Sequence, residues 1–306
     1  MIQNINGSTE KFLADLNRIQ ATNLRVQRQI TSGLKVELPS DAPDAIRGIL
    51  QLKTAIQQNT QIQTNLGTAK DAVTGADTAL QSAISLLDQA TQLGAQGATS
   101  TATADTRAIL AQQVDGLLGS MVGLSRTAVS GRYIFSGDQD GAPAYELNAA
   151  NQNGVNRLLT SANTLQVQDA RGTAFAVGKT AQEIFDHRNA DDTLAADNVF
   201  AAVNGLKTAL QNNDTAAIAT SMDAVRTAGS YLNSQLSFYG AAENRIQAAM
   251  TDASNLQTQE KSSLTGLEDT DLAAASTELA LSSTQEQAAL QARAKLPQTS
   301  LFNYLA

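Results

Sequence analysis

Several absences narrow what this chain can be before any motif is considered. It holds no cysteine, which removes disulfides, thiolate metal sites and cysteine nucleophiles together. It holds no tryptophan, and aromatics make up only 4% of its 306 residues, too few for the thick mixed core expected at this length. The single histidine, His187, cannot build a histidine metal cluster and is expected at a bland surface position. No segment approaches the roughly 20 consecutive apolar residues that span a bilayer. Residues 1–10 carry neither the basic region nor the apolar run of a secretory signal, so cytoplasmic residence follows unless export uses another route. A net charge of −8 lacks the concentrated positive field of a nucleic-acid or anionic-membrane surface. Abundant alanine and glutamine with only four prolines favour long helices packed side by side.

The heptad rows say which helices need partners. In a first helix over 8–32, Ile5, Phe12, Ile19 and Val26 keep one row at seven-residue spacing, and Leu16, Asn23 and Ile30 keep a second. A single helix cannot bury such a stripe and must find another to cover it. Lys11, Arg18 and Arg25 make a basic edge beside the seam. The last helix matches it, with Leu272 and Leu279 on one row, Ala275, Ala289 and Leu296 on another, and Asp271 and Glu278 on an acidic edge. An antiparallel pairing of the two chain ends is therefore expected, with Arg18 meeting Glu278 and Arg25 meeting Asp271 in one register. Exposed pairs of this kind contribute only about 0–1 kcal/mol each, so their value lies in fixing register.

Between the ends, the pattern changes period twice. Gly33, Pro39 and Pro43 stop the first helix, and Ser40 or Asp41 is placed to cap the next. Leucine rows facing alanine rows predict a second helix over 44–94, on the order of 75 Å long at 1.5 Å per residue, although Gly48, Gly67 and Gly75 each cost it about 1 kcal/mol relative to alanine. A Gly/Thr/Ser loop over 94–104 returns the chain into a third helix carrying Leu110, Leu117 and Leu124. From Gly131 to about Phe185 only short strands are expected, near 144–147, 155–159, 165–168 and 174–177. Helix resumes near Asp197, breaks at Asn212-Asn213-Asp214, runs on as a long rod, and reaches the final helix after a gap at 266–269. The expected fold class is mainly α: a long antiparallel coiled coil or helical bundle formed by the N- and C-terminal halves, with a small β-rich inserted domain. Its expected divisions are terminal assembly segments at 1–43 and 266–306, a rod core at 44–136 and 195–265, and an outer insert at 137–194.

No catalytic set is expected. A Ser-His-acid triad would have to use His187, which has no serine beside it in sequence. Asp138-Gln139-Asp140-Gly141 has its glycine at the fourth position and reads as a turn, not a calcium loop. Asp191-Asp192 and Glu268-Asp269 read as solvated helix-start charge. The end of the chain is different: Leu290, Leu296, Leu301, Phe302, Tyr304 and Leu305 add apolar residues where an isolated chain usually ends polar. They either fold back on the chain's own helices or are buried in a neighbouring subunit, and the second is favoured.

Several of these segments resemble the bacterial flagellin family. Ser32-Gly33-Leu34-Lys35-Val36 followed by Pro39-Ser40-Asp41-Ala42-Pro43 is similar to that family's signature after its first helix, with Ala42 where a second aspartate is usual. Gly131-Arg132-Tyr133-Ile134-Phe135-Ser136-Gly137, Leu267-Glu268-Asp269-Thr270-Asp271-Leu272-Ala273 and Ser300-Leu301-Phe302-Asn303-Tyr304-Leu305 resemble the subunits at the junction of hook and filament more than those of the filament. The resemblance implies a non-catalytic structural subunit without cofactor or metal, forming that junction by helical self-assembly. It implies export unfolded through the flagellar channel without a cleaved signal, and an extracellular place in the flagellum. The implied partners are further copies in a ring, a neighbouring hook-associated protein, flagellin, and a type III export chaperone on the C-terminal segment; nucleic acid and membrane are not among them. The terminal segments would be disordered alone and fold when neighbours cover their seams. The alternatives are the filament subunit itself, a cytoplasmic signalling coiled coil, which would lack a β insert, and, disfavoured by the missing residues, a hydrolase.

Overall fold

The computed structural model describes residues 2–160 and 164–294, with side chains from Thr9 onward. In chain order the elements are α1 (Ile2–Ser32), α2 (Pro43–Ala98), α3 (Ala104–Ser125), β1 (Ala128–Val129), β2 (Arg132–Tyr133), β3 (Tyr145–Leu147), β4 (Val155–Arg157), β5 (Gln166–Gln168), β6 (Ala174–Ala176), α4 (Ala181–Ile184), α5 (Val199–Gln211), α6 (Thr215–Glu268) and α7 (Leu272–Ala294). The chain divides into two compact units, one of residues 1–58 and 257–306 and one of residues 59–256. The fold is mainly helical with a small strand-bearing segment, as the periodicities require.

In the unit of residues 59–256, one apolar cluster runs from Leu66 to Ala249. The leucine and alanine rows of α2 supply Leu66, Ala69, Val73, Ala76, Leu80, Ala83, Leu87 and Ala90, all buried. Glycine serves close approach here: a Cβ on Gly97 would collide with the side chain of Leu210 in α5. The α2–α3 turn lies at 99–103, later than expected, and Thr103 caps α3 by accepting from the Thr106 amide. Asn213 at φ 54 and the Asp214 carboxylate, which accepts from the Ala216 and Ala217 amides at 3.0 Å, make the expected break before α6.

The strands form three separate antiparallel pairs, β1 with β2, β3 with β4 and β5 with β6. Ser130 and Gly131, at φ 53 and 79, turn the first hairpin, which explains a glycine at that point of the sequence. Aromatic rings fasten the segment to the helices. Phe185 meets Phe135 edge-on at 5.7 Å and stacks on Phe200 of α5 at 5.8 Å, while Tyr145 of β3 lies 5.4 Å from Phe200. Beneath them the fully buried Asp186 carboxylate accepts from the Tyr145 hydroxyl, the Asn153 and Asn198 amides and the Arg188 guanidinium, at 2.8–3.0 Å. Burial, and then the charge of Asp186, push the Tyr145 phenol far above its ordinary value.

Candidate assembly interface

The unit of residues 1–58 and 257–306 brings the two ends of the chain together. Its seam is the antiparallel face between α1 and α7. Of the residues expected there, Val26 is buried and Phe12, Leu16, Ile19, Ile30 and Leu279 are half-buried. Leu272 and Leu290 are 53% and 50% exposed. Ile5 lies on α1 with its side chain outside the described atoms, and Leu296, Leu301, Phe302, Tyr304 and Leu305 lie outside the described residues.

The middle of the seam is polar. Asn23, only 8% exposed, donates from Nδ2 to Glu286 Oε2 at 2.8 Å, and the Ser282 hydroxyl donates to its carbonyl oxygen. Gln20 donates to the other oxygen of Glu286 at 3.1 Å. Farther along, the Arg293 guanidinium lies over the Phe12 ring at 5.7 Å and donates to the Thr9 hydroxyl at 3.2 Å. Asn23 stands on the seam that the heptads predict. Ser282, Glu286, Gln20 and Arg293 are outside the predicted set, although polar residues at 282 and 286 interrupt the two apolar rows of the last helix where Asn23 interrupts those of the first.

The expected charge register is corrected. Glu278 pairs with Arg25 at 2.6 Å and not with Arg18, whose partner is Asp15 at 3.6 Å on its own helix. Asp271 does not meet Arg25. Its carboxylate accepts from the Ala273 and Ala274 amides at 2.9 and 3.1 Å and caps α7. The displacement is one heptad, from residue 18 to residue 25 opposite the same Glu278. A seven-residue repeat is blind to a shift of seven. Moving α7 back by that amount would set Ala275 and Leu279 against Asn23 in place of Ser282 and Glu286, stranding a buried amide.

Backbone pairing at the end of α1 agrees with the observed register. Gly33, at φ 74, closes α1, and its carbonyl accepts from the Thr270 amide at 2.9 Å. Leu34 bridges Asp269 antiparallel, and the Glu268 carbonyl accepts from the Lys35 and Val36 amides at 2.6 and 3.3 Å. Arg25 and Glu278 each lie nine residues from that bridge.

Two further corrections fall in this region. Asp41 does not cap α2; its carboxylate turns back to the Leu38 and Glu37 amides at 2.8 and 3.1 Å, bonds that hold its pKa below the ordinary carboxylate value. The Ala42 carbonyl instead accepts the first helical bonds, and Pro43 opens the helix. Glu268 is no solvated cap: it is 8% exposed, ends α6, and meets Lys53 at 2.5 Å. These tertiary bonds carry α6 through Gly266, where local propensity places a gap.

The other unit corrects two more expectations. His187 is not a bland surface residue, since its Nδ1 lies 2.6 Å from Asp197 Oδ1 and its ring stacks on Tyr231 at 4.9 Å. Asp191 and Asp192 sit in a turn at 189–193, not at a helix start, with Asp191 accepting from Thr193 and Asp192 gripped by Arg157 at 3.1 and 3.2 Å. Asp138–Gly141 is a turn, as expected. Among the described residues, no group of three His, Asp or Glu is placed to hold a metal ion, and no helix is long and apolar enough to cross a membrane.

Paired chain ends, and long helices around a strand-bearing middle segment, define a protein whose N- and C-terminal helices belong together. Residues 4–140 match the bacterial flagellin N-terminal helical region, and residues 201–305 match the bacterial flagellin C-terminal helical region. The chain belongs to the bacterial flagellin family. It is 26% identical over 216 residues to flagellar hook-associated protein 3 of Salmonella typhimurium, and 26% identical over 217 residues to that of Escherichia coli. Both alignments cover 67% of this chain and 66% of the relative, just under two thirds of those proteins' length. Its fold resembles that of a putative flagellar hook-associated protein from Vibrio parahaemolyticus (TM-score 0.63, 19% identity, 74% of this chain and 99% of that one). It also resembles flagellar hook-associated protein 3 from Legionella pneumophila (TM-score 0.60, 15% identity, 72% of this chain and 98% of that one).

Proposed function

We propose that this chain is a non-catalytic structural subunit of the bacterial flagellum and forms the junction between hook and filament. The observation that carries the reading is the α1/α7 seam. It joins the two family-matched ends of one chain, has a polar centre, and leaves Leu13, Leu24, Leu272, Leu281 and Leu290 between 50% and 62% exposed. Apolar side chains so exposed on two paired helices favour burial against further subunits. The names of the two curated relatives support the junction over the filament.

On this reading 1–43 and 266–306 are assembly segments, 44–136 and 195–265 a rod core, and 137–194 an outward-facing insert. The seam leucines and the tail residues Leu301, Phe302, Tyr304 and Leu305 meet other copies in a ring, with a hook-associated protein and flagellin as axial neighbours. A type III export chaperone holds the C-terminal segment before export, which proceeds without a cleaved signal.

Deleting the protein from its parent cell, imaging the flagella and assaying flagellin in the medium tests this. Bare hooks with unpolymerised flagellin shed outside are expected. Normal filaments and swimming would overturn the junction role, and loss of the filament with no other flagellin secreted would make this chain the filament subunit.

A further inference from the structure

We propose that Asn23 is the register-determining residue of the α1/α7 pair, with Ser282 and Glu286 as the partners it selects. The inference concerns the chain itself and holds wherever in a flagellum the subunit sits. Charge alone does not choose the register, because the basic and acidic edges also complement one another one heptad away, where Arg18 would meet Glu278 and Arg25 would meet Asp271. The apolar rows do not choose it either, since a seven-residue shift places one apolar row on another.

What distinguishes the registers is the buried amide. In the observed one, Asn23 has an acceptor in Glu286 at 2.8 Å and a donor in Ser282. One heptad back it faces Ala275 and Leu279, which offer neither. One heptad forward it faces Ala289 and Arg293, which leave its N–H groups without an acceptor. A polar residue at a seam position lowers stability but specifies register, because a misaligned pairing leaves its buried N–H groups without an acceptor. Leu16 and Ile30, the neighbours of Asn23 on its row, are indifferent to such a shift. The same rule selects the helix: an all-apolar seam on another helix or another subunit would leave Asn23 unpaired. The seam of α1 therefore prefers the sequence of α7 and not merely a hydrophobic stripe.

Because the chain has no cysteine, disulfide formation in the full-length purified protein reads register directly. Val26→Cys with Leu279→Cys, each three residues from the Asn23 and Ser282 contact, reports the observed register. Ile19→Cys with Leu279→Cys reports the register one heptad back. In the native background the first pair is expected to oxidise at least about tenfold faster. Asn23→Leu should bring the two rates within about threefold, with helical content unchanged. Moving the amide one heptad, with Asn23→Leu and Leu16→Asn together, offers the transplanted amide the same Ser282 and Glu286 in the displaced register and should make the second pair the faster. The single and the transplanted variants guard each other: loss of preference in one and its reversal in the other cannot both come from unfolding. Retention of the tenfold native preference in the transplanted variant would overturn the proposal and assign register to the Leu34–Asp269 backbone bridge.

Discussion

The two units of this chain are built from the same kind of helix and held together by different means. In residues 59–256 a continuous apolar cluster is reinforced by stacked rings and by charges whose bonding is satisfied in the interior. In residues 1–58 and 257–306 the buried hydrophobic residues, among those described, are Val26, Val36, Ile49 and Ala275, and the centre of the seam is Asn23 with Ser282. The first unit has a core closed on its own residues, whereas the second buries few apolar side chains among its described residues and gains correspondingly less from their removal from water. On the proposed assembly role this contrast has a use: the core of one unit is complete within the chain, and the exposed leucines of the other are left for further subunits to cover.

The largest expected effect is on the body. Phe200→Ala empties the space against Phe185 and Tyr145 and should cost about 3–5 kcal/mol in urea unfolding, with the loss reported by probes in residues 59–256. Equal loss of helix from α1 and α7 would mean that the two regions unfold as one and would dissolve the contrast. Amide exchange follows in size: protection in α1 and α7 should fall at least about a hundredfold below that in α3 and α5, roughly 2.7 kcal/mol. Arg107→Met comes next. Arg107 is 6% exposed and its guanidinium donates to the carbonyls of Gly97 and Thr99 and to Asn213 at 2.7, 3.1 and 2.5 Å, so its loss strands the buried Gly97 carbonyl and unpins the Thr99 carbonyl and Asn213 at the turn before α3. A cost of about 2 kcal/mol is expected by thermal or urea unfolding, and none if water reaches those carbonyls.

Two smaller effects separate the units by pH. Tyr145 and Tyr239 are raised by burial far above the ordinary phenol value, and Tyr231 is pushed up to about 12. A raised acid is neutral when folded, so the stability these tyrosines contribute is intact below the unfolded value of about 10 and is lost as pH climbs past it. An alkaline titration by circular dichroism should thus destabilise residues 59–256. Asp41 has the opposite sign: its depressed value favours the folded link above about pH 4 and is lost as pH falls, so Asp41→Asn should slightly lower protection at residues 34–42 at neutral pH and change nothing in acid.

Much of this was legible in the residues alone. Rows at seven-residue spacing predicted the helices, Gly33 and Asn212-Asn213-Asp214 predicted their breaks, and the four expected strands each overlap one of β3 to β6. Arg107 and Asp186 were not legible, because a buried charge is recognised by what surrounds it and its partners lie as far as 106 positions away. The two-residue strands β1 and β2 and the four-residue α4 were too short for any periodicity to register.

By itself the sequence determined that the chain would be helical, that a strand-bearing segment would interrupt it, and that its two ends would complement each other. Local patterning suffices for these, since each is written in which residues share one face. Only the tertiary structure decided that α6 runs on through Gly266, that Arg25 rather than Arg18 meets Glu278, and that Asn23 finds Ser282 and Glu286. A heptad pattern is unchanged by a shift of seven, and the degeneracy is lifted only where a buried polar group must find its particular partner.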